Sequence, residues 1–271
     1  MAYDYEKSLR PGKLPHIWCP GCGHGIIMKG LIRAMDTCGL EKNNTAIVSG
    51  IGCASRLPGY FDNCTLHTAH GRAAAFATGV KMAKPEMNVI VVGGDGDGTA
   101  IGGNHFIHAC RRNIDMTYLI MNNNIYGMTG GQFSPCTPTG AKASTTVYGN
   151  PDPTFDIAKL AIGAGATFVA RGTAFHAAQI DKLIAEGIKH KGLAVIEILD
   201  DCPTTYGRRN KFRSVIEMMK RLKDIAVPVA AAAKMTPEQL EGKVLTGVLH
   251  KEERPEYTEA YAQVIQRAQG V

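Results

Sequence analysis

Long apolar runs are missing from this chain. Ile225 to Ala233, nine residues, falls well short of the roughly 20 needed to cross a bilayer. The N-terminal stretch MAYDYEKSLRPGKLPH lacks the apolar core of a secretory signal, so no membrane anchorage and a cytoplasmic location are expected. There is no internal repeat and no low-complexity tract, which argues against a solenoid or a disordered protein. Nothing has the pattern of a nucleic-acid-binding module, and no nucleic-acid partner is expected. Without a leader, the eight cysteines are better read as metal ligands or core residues than as disulfides.

What remains is an ordinary soluble composition, 45% hydrophobic over 271 residues, enough for one large α/β domain. The net charge of +6 is scattered, apart from one cluster, Arg208-Arg209-Asn210-Lys211-Phe212-Arg213. Such a cluster is either a solvated face or a surface for an acidic protein or a phosphate-bearing substrate.

The most organised stretch is Val89 to Gln132. A β-branched run, Val89 to Val92, stops at Gly93-Gly94-Asp95-Gly96-Asp97-Gly98. A helix-compatible segment runs from Ile101 to Asn113. A second apolar run, Met116 to Met121, stops at Asn122-Asn123-Asn124. Strand, crossover, strand is the unit of a parallel sheet, and ligands bind beyond the carboxyl ends of its strands. Further strands are expected at Thr45–Ser49, Ala166–Ala170 and Ala194–Leu199. Helices are expected at Ile26–Cys38, Ala73–Ala83, Phe155–Ile162 and Phe175–Lys189. The expected fold is α/β, a parallel sheet with helices on both faces over residues 1–206. Residues 207–271 change character and read as a C-terminal appendage, packing over the core or onto a partner.

Cys19 and Cys22 form a C-x-x-C pair in a Pro/Gly turn, WCPGCGHG, which suits zinc, a redox dithiol or an iron–sulfur cluster. A redox dithiol usually follows a thioredoxin-like βαβ unit, and none precedes this pair. Cys53 and Cys202 each lie just beyond a strand end. Cys38 and Cys110 fall in helical apolar patterns and read as core; Cys64 and Cys136 have no evident partner. His70 and Arg72 sit near the start of the Ala73 helix, where free N–H groups favour anions. His67 reads as a surface or core histidine.

The spacing of Gly94-Asp95-Gly96 and Asn122-Asn123 resembles the thiamine diphosphate (TPP) motif. Taken with GIGCASR, HTAHGRA, NNNIYGMTGGQ and DDCPTTYG, the chain resembles the β subunit of 2-oxoacid:ferredoxin oxidoreductases, most of all the 2-oxoglutarate type. The likeness spans about residues 14 to 255, with Ala54 standing where relatives often carry Ser. The resemblance implies a TPP diphosphate-binding module in which Asp95, Asn123 and the Ile125 carbonyl hold Mg²⁺. It implies one 4Fe–4S cluster on Cys19, Cys22, Cys53 and Cys202. It sets Ile51, Gly52, Cys53 and Ala54 against the cofactor, Gly94, Gly96 and Asp97 at its diphosphate, and Gly127, Met128 and Thr129 nearby. His70 and Arg72 match a segment lining the substrate end, the candidate catalytic pair. The implied reaction is oxidative decarboxylation of a 2-oxoacid with coenzyme A, with electrons leaving through the cluster to ferredoxin.

Two other readings explain less. A non-oxidative TPP enzyme accounts for the GDG and NN motifs but not the four cysteines. A non-catalytic zinc or iron–sulfur protein accounts for the cysteines but not the metal–diphosphate spacing. The chain has room for only one parallel-sheet module, so the pyrimidine-binding module and its activating glutamate are expected on an α subunit, in a dimer of αβ pairs.

Overall fold

The computed structural model describes residues 3–270. An eight-stranded sheet forms the centre. Six of its strands are parallel: β1 (Thr45–Ser49), β2 (Cys64–His67), β3 (Asn88–Gly94), β4 (Met116–Asn122), β7 (Phe168–Thr173) and β8 (Leu193–Leu199). A two-stranded hairpin, β5 (Ile125–Tyr126) and β6 (Gln132–Phe133), lies apart from them. With β9 (Ala226–Pro228) and β10 (Val244–Lys251), the sheet runs in the order β2-β1-β3-β4-β8-β7-β10-β9.

Every residue of β1, β4, β7 and β8 is buried, which explains their continuous apolar character: both faces of the sheet are covered. Alternation sorts their side chains between two layers. Ile90, Val92, Leu119, Met121, Ile196 and Ile198 point towards α1 (His24–Thr37) and α5 (Ala177–Lys189). Val89, Val91, Tyr118, Ile120 and Val195 point towards α2 (Ala73–Ala83), α3 (Gly103–Arg112) and α4 (Ile157–Ala164). Each fully buried Ile or Leu contributes on the order of 1.5–3 kcal/mol, so this double layer is the main source of stability.

Chain order reverses at β1, with β2 on one side and β3 on the other. The crevice beyond the carboxyl ends of β1 and β3 is therefore the topological switch point, where such sheets bind ligands.

The segment read as an appendage is partly woven into the sheet. After α6 (Val215–Ile225), β9 and the short helices α7 (Val229–Ala232) and α8 (Pro237–Leu240), the strand β10 pairs antiparallel with β7, with a bulge between Val248 and His250. The strand β9 then pairs parallel with β10. The last helix, α9 (Tyr257–Gln269), is capped by the Glu256 carboxylate, which accepts from the backbone N–H groups of Thr258 and Glu259. Among the described residues, no helix is long and apolar enough to span a membrane.

Candidate cofactor site

The strand β3 ends at Gly94, and the chain turns directly into a helix at Asp95, passing through a π-helical turn at Asp97–Ile101 before α3. Asp95 thus lies at a helix start beyond a strand end. Its carboxylate is buried and accepts from the Ser134 hydroxyl at 2.5 Å, while the Thr99 hydroxyl donates to its carbonyl at 2.6 Å. Burial pushes the Asp95 carboxyl up to about 7, against hydrogen bonds from Ser134 and backbone N–H groups that lower it. A buried carboxylate with no cation beside it is costly, and a divalent ion would stabilise its charged form.

On the adjacent strand β4, Asn122 and Asn123 are both buried. They differ in role. Asn122 donates to Glu197 at 2.8 Å and accepts from the Asn124 N–H at 3.1 Å, so it supports the loop. Glu197 also accepts from Arg171 at 2.6 Å, which in turn reaches Asp156. Asn123 Oδ1 accepts only a long contact from the Ile125 N–H, 3.3 Å. Asn124 sits in the left-handed region at φ 63°, which turns the chain back towards Asp95. The Tyr126 hydroxyl donates to the Gly96 carbonyl at 3.0 Å and locks this loop to the turn after β3. The structure therefore brings Asp95, Asn123 and Ile125 together beyond neighbouring strands: oxygen donors of the kind Mg²⁺ prefers.

Asp97, the second acid expected at the diphosphate, has a buried side chain. Its carboxylate turns inward. Oδ1 accepts from the Ile51 N–H at 3.0 Å and the Gly71 N–H at 2.7 Å, and lies 2.6 Å from His70 Nδ1. Gly50 has no side chain because a methyl group there would overlap this carboxylate. The Asp97 side chain is thus a clamp joining the loops after β1 and β2 to the turn after β3. Any contact it makes to a cofactor must come from its backbone.

The clamp positions the remaining residues of the cleft. Ile51 and Met128 are large apolar side chains left 38% and 42% exposed at strand ends, as a cofactor ring would require. Ala54 packs 3.8 Å from the position a Gly94 side chain would occupy, and Thr129 is tied to Gln132. His70 is held by Asp97 through Nδ1, leaving Nε2 free. Arg72 donates to the carbonyls of His70 and Ile101 from one Nη, leaving the rest of its guanidinium available.

Four cysteines converge at the neighbouring edge. The Thr204 hydroxyl lies 3.7 Å from both Cys19 Sγ and Cys202 Sγ. A side-chain carbon at Gly127 would come within 3.3 Å of Cys202 Sγ and 3.9 Å of Cys53 Sγ, so the glycine keeps that space open for the sulfurs. Burial pushes the Cys53 thiol up to about 11, helped by Cys202 and Cys19. Burial raises Cys22 as well, with Asp200, Cys202 and Cys53 adding to it. Cys38 and Cys110 pack with the two core layers, away from this group, and Cys136 is buried under the TPP-motif loop.

Several supporting residues escape sequence reasoning. Buried His24 presents Nδ1 to the buried Asp200 carboxylate, beside Cys22, and Nε2 has no partner. Trp18 stacks edge-on to His24 and donates to the Cys53 carbonyl at 2.8 Å. His24 and Asp200 each stand two residues from a cysteine of the group, the one signal that could have flagged them.

Comparison with known proteins agrees with this arrangement. Residues 50–198 match the family described as thiamine pyrophosphate enzyme, C-terminal TPP binding domain. The chain is 49% identical over 261 residues to the 2-oxoglutarate synthase subunit KorB of Methanocaldococcus jannaschii, across 96% of this chain and 97% of that protein. It is 56% identical over 204 residues to the subunit of the same name from Archaeoglobus fulgidus, across 75% and 76%. A structure of 2-oxoglutarate:ferredoxin oxidoreductase from Magnetococcus marinus, with 2-oxoglutarate, coenzyme A and succinyl-CoA bound, matches with a TM-score of 0.87 and 37% identity, over 97% of this chain and 90% of that one. Near-complete coverage at this identity, together with the TPP-binding domain, means that the chain belongs to the β-subunit family of TPP-dependent 2-oxoacid:ferredoxin oxidoreductases, among the 2-oxoglutarate synthases.

Proposed function

We propose that this chain carries TPP, Mg²⁺ and one 4Fe–4S cluster, and that with an α subunit it oxidatively decarboxylates 2-oxoglutarate. Coenzyme A takes the succinyl group, and ferredoxin takes the electrons. The observation that carries this reading is the adjacency of two donor sets: the oxygens of Asp95, Asn123 and Ile125, and the sulfurs of Cys19, Cys22, Cys53 and Cys202, joined at Gly127.

Both donor sets fit their groups. A Cys₄ zinc site needs its sulfurs about 3.8 Å apart, given Zn–S bonds near 2.3 Å. The compact set of metal-ligating atoms among the described residues is Cys22, His24 and Asp200, not a set of these four sulfurs. Four thiolates are what a cubane iron–sulfur cluster requires, which supports that group here. TPP supplies the electron sink for decarboxylation when bound. The chain's own residues do the rest: Asp95 holds charge at the metal position, Ile51 and Met128 exclude water from the cleft, and the Asp97 clamp sets the loops. His70 Nε2 and the free part of the Arg72 guanidinium supply polar groups for the substrate carboxylates. The pyrimidine-activating glutamate comes from the α subunit, with TPP at the interface between subunits.

The test is an assay of the reconstituted αβ complex with 2-oxoglutarate, pyruvate, a branched-chain and an aryl 2-oxoacid, coenzyme A and a low-potential dye. The expected outcome is a strong preference for 2-oxoglutarate and no turnover by the β chain alone. Equal turnover of pyruvate would refute the substrate assignment. Full turnover by the isolated chain would refute the α-subunit role.

A further inference from the structure

The cysteine group lies at the surface, and the surface around it is cationic. Cys19, Pro20 and Gly21 are exposed. Cys202 opens a π-helical turn, Pro203–Gly207, whose Thr204 hydroxyl touches Cys19 and Cys202 alike. The same turn leads straight into Arg208 and Arg209. Between Pro203 and Ile216 there are four basic residues, Arg208, Arg209, Lys211 and Arg213, and no acidic one. All four are exposed. Lys142 joins them, because its backbone is bonded in both directions to the Asn210 side chain. Arg209 leans over the TPP-motif loop, 3.5 Å from the Gly130 carbonyl.

The nearest acid that follows, Glu217, accepts from the Arg213 backbone N–H at 2.7 Å and not from its guanidinium. Among the described residues, none of these five cations reaches a carboxylate within ion-pair distance, although cations elsewhere do, such as Lys42, Lys81, Arg171 and Lys191. Like charges held together repel one another, so the cluster costs stability until something anionic covers it. Its position beside the exposed edge of the cysteine group says what that is. Transfer of an electron falls steeply with distance, so an acceptor must come against the Cys19–Cys22 edge.

We propose that Lys142, Arg208, Arg209, Lys211 and Arg213 form the docking surface for an acidic one-electron carrier protein of the ferredoxin type. This rests on the proposed function above. Each turnover breaks the bond between the 2-oxo carbon and its carboxylate, releasing CO₂, and forms the thioester bond of succinyl-CoA; the 2-oxoacid carbon gives up two electrons, and the coenzyme A thiol, which is acylated and not oxidised, gives up one proton. Two oxidised carriers each take one electron, so two docking events serve each turnover. Electrostatic steering raises association rates by about 10- to 1,000-fold and weakens with salt, since the Debye length is about 8 Å at physiological ionic strength.

The experiment uses the loaded αβ complex, a ferredoxin with a single 4Fe–4S cluster as acceptor, and two double variants, Arg208→Glu/Arg209→Glu and Lys211→Glu/Arg213→Glu. Bleaching of the cluster by 2-oxoglutarate and coenzyme A, with no acceptor present, is recorded for each. The expected result is unchanged bleaching, with kcat/KM for ferredoxin at low salt reduced about 10- to 100-fold and its salt dependence flattened. Neutral Arg208→Gln/Arg209→Gln should fall between, and covers the case in which a charge reversal fails to fold. Unchanged ferredoxin kinetics in both Glu variants would overturn the proposal. So would loss of the α subunit on gel filtration, which would make this face a subunit contact. A raised KM for coenzyme A with normal ferredoxin kinetics would overturn it too, by assigning the cations to the nucleotide phosphates. Absence of bleaching in the unmodified complex would instead refute the function on which the proposal rests.

Discussion

Replacing Asp97 separates a clamp from a cofactor ligand. The carboxylate holds two backbone N–H groups, those of Ile51 and Gly71, and one ring nitrogen of His70, through a single oxygen. The other oxygen is buried with no hydrogen-bond partner. Asp97→Asn keeps a carbonyl oxygen for both N–H groups and places its amide where no partner is lost. Asp97→Ala removes the acceptor altogether. Hydrogen bonds to a charged group are worth about 1.5–3 kcal/mol each, so the two backbone bonds together hold the loops by about 3–6 kcal/mol. Water entering the vacated space recovers part of this, and about 3 kcal/mol of loop order is the expected loss. That corresponds to roughly 100-fold weaker binding for a ligand that needs both loops in place. Calorimetric titration of Mg²⁺–TPP into the apo αβ complex should therefore show roughly a 100-fold loss for Asp97→Ala and less than about tenfold for Asp97→Asn. If Asn is as damaging as Ala, the charge itself touches the cofactor or its metal, and the clamp reading is wrong.

Asp95→Ala should abolish Mg²⁺–TPP binding with little change in unfolding temperature, because its side chain lies at a strand end and supplies the negative charge the ion needs; unchanged TPP affinity by calorimetry would sink the metal assignment. Cys19, Cys22, Cys53 and Cys202 changed singly to Ser should each lower iron per chain after anaerobic reconstitution, whereas Cys38→Ser and Cys110→Ser should retain it; equal iron in Cys202→Ser and Cys38→Ser contradicts the ligand set. Asp115→Asn tests a buried ion pair: Lys81, nearly buried, lies 2.7 Å from Asp115. Burial alone would raise the Asp115 carboxyl, but the hydrogen bonds from Lys81 and the Gly192 N–H outweigh it and hold it below its usual value. Its stabilising effect is thus present above the unfolded-state value, about 3.9, and is lost as pH falls through the folded value. Urea unfolding of the variant should show a deficit of about 3 kcal/mol at pH 7 that shrinks in strong acid; a deficit independent of pH contradicts the pairing.

Much of this architecture is legible in the residues because it is local. Thr45–Ser49 and Ala73–Ala83 are strand and helix at the expected bounds, since a buried β-branched run and an alanine-rich repeat each carry their own signal. The TPP motif is legible for the same reason, because Asp95 and Asn123 sit on turns at strand ends; Cys53 and Cys202 also follow strands, whereas Cys19 and Cys22 lie in the turn before α1. What is not legible is long-range. The strand Cys64–His67 is mostly exposed at the sheet edge and shows no apolar pattern. The strand β10 looks like any short apolar run, and only its pairing with β7 reveals that it belongs to the main sheet. The Asn122–Glu197–Arg171 chain and the His24–Asp200 pair join residues from distant strands and helices, which composition and spacing cannot link. Asp97 is the instructive case. Its place beside Asp95 suggests the diphosphate, but the direction of its side chain is set by the π-helical turn, a feature with no sequence signature.

The strand order also has a consequence during synthesis. The strand β7 lies between β8 and β10, yet β10 is made only after β8, α6 and two short helices have left the ribosome. Throughout that interval β7 presents one full row of unpaired N–H and C=O groups on an otherwise completed sheet, the kind of edge to which other strands add. The nascent protein passes through a stage in which the cleft residues up to Cys202 are all present but the sheet is still open on one side. A chaperone, or the α subunit arriving early, would find its longest-lived target there.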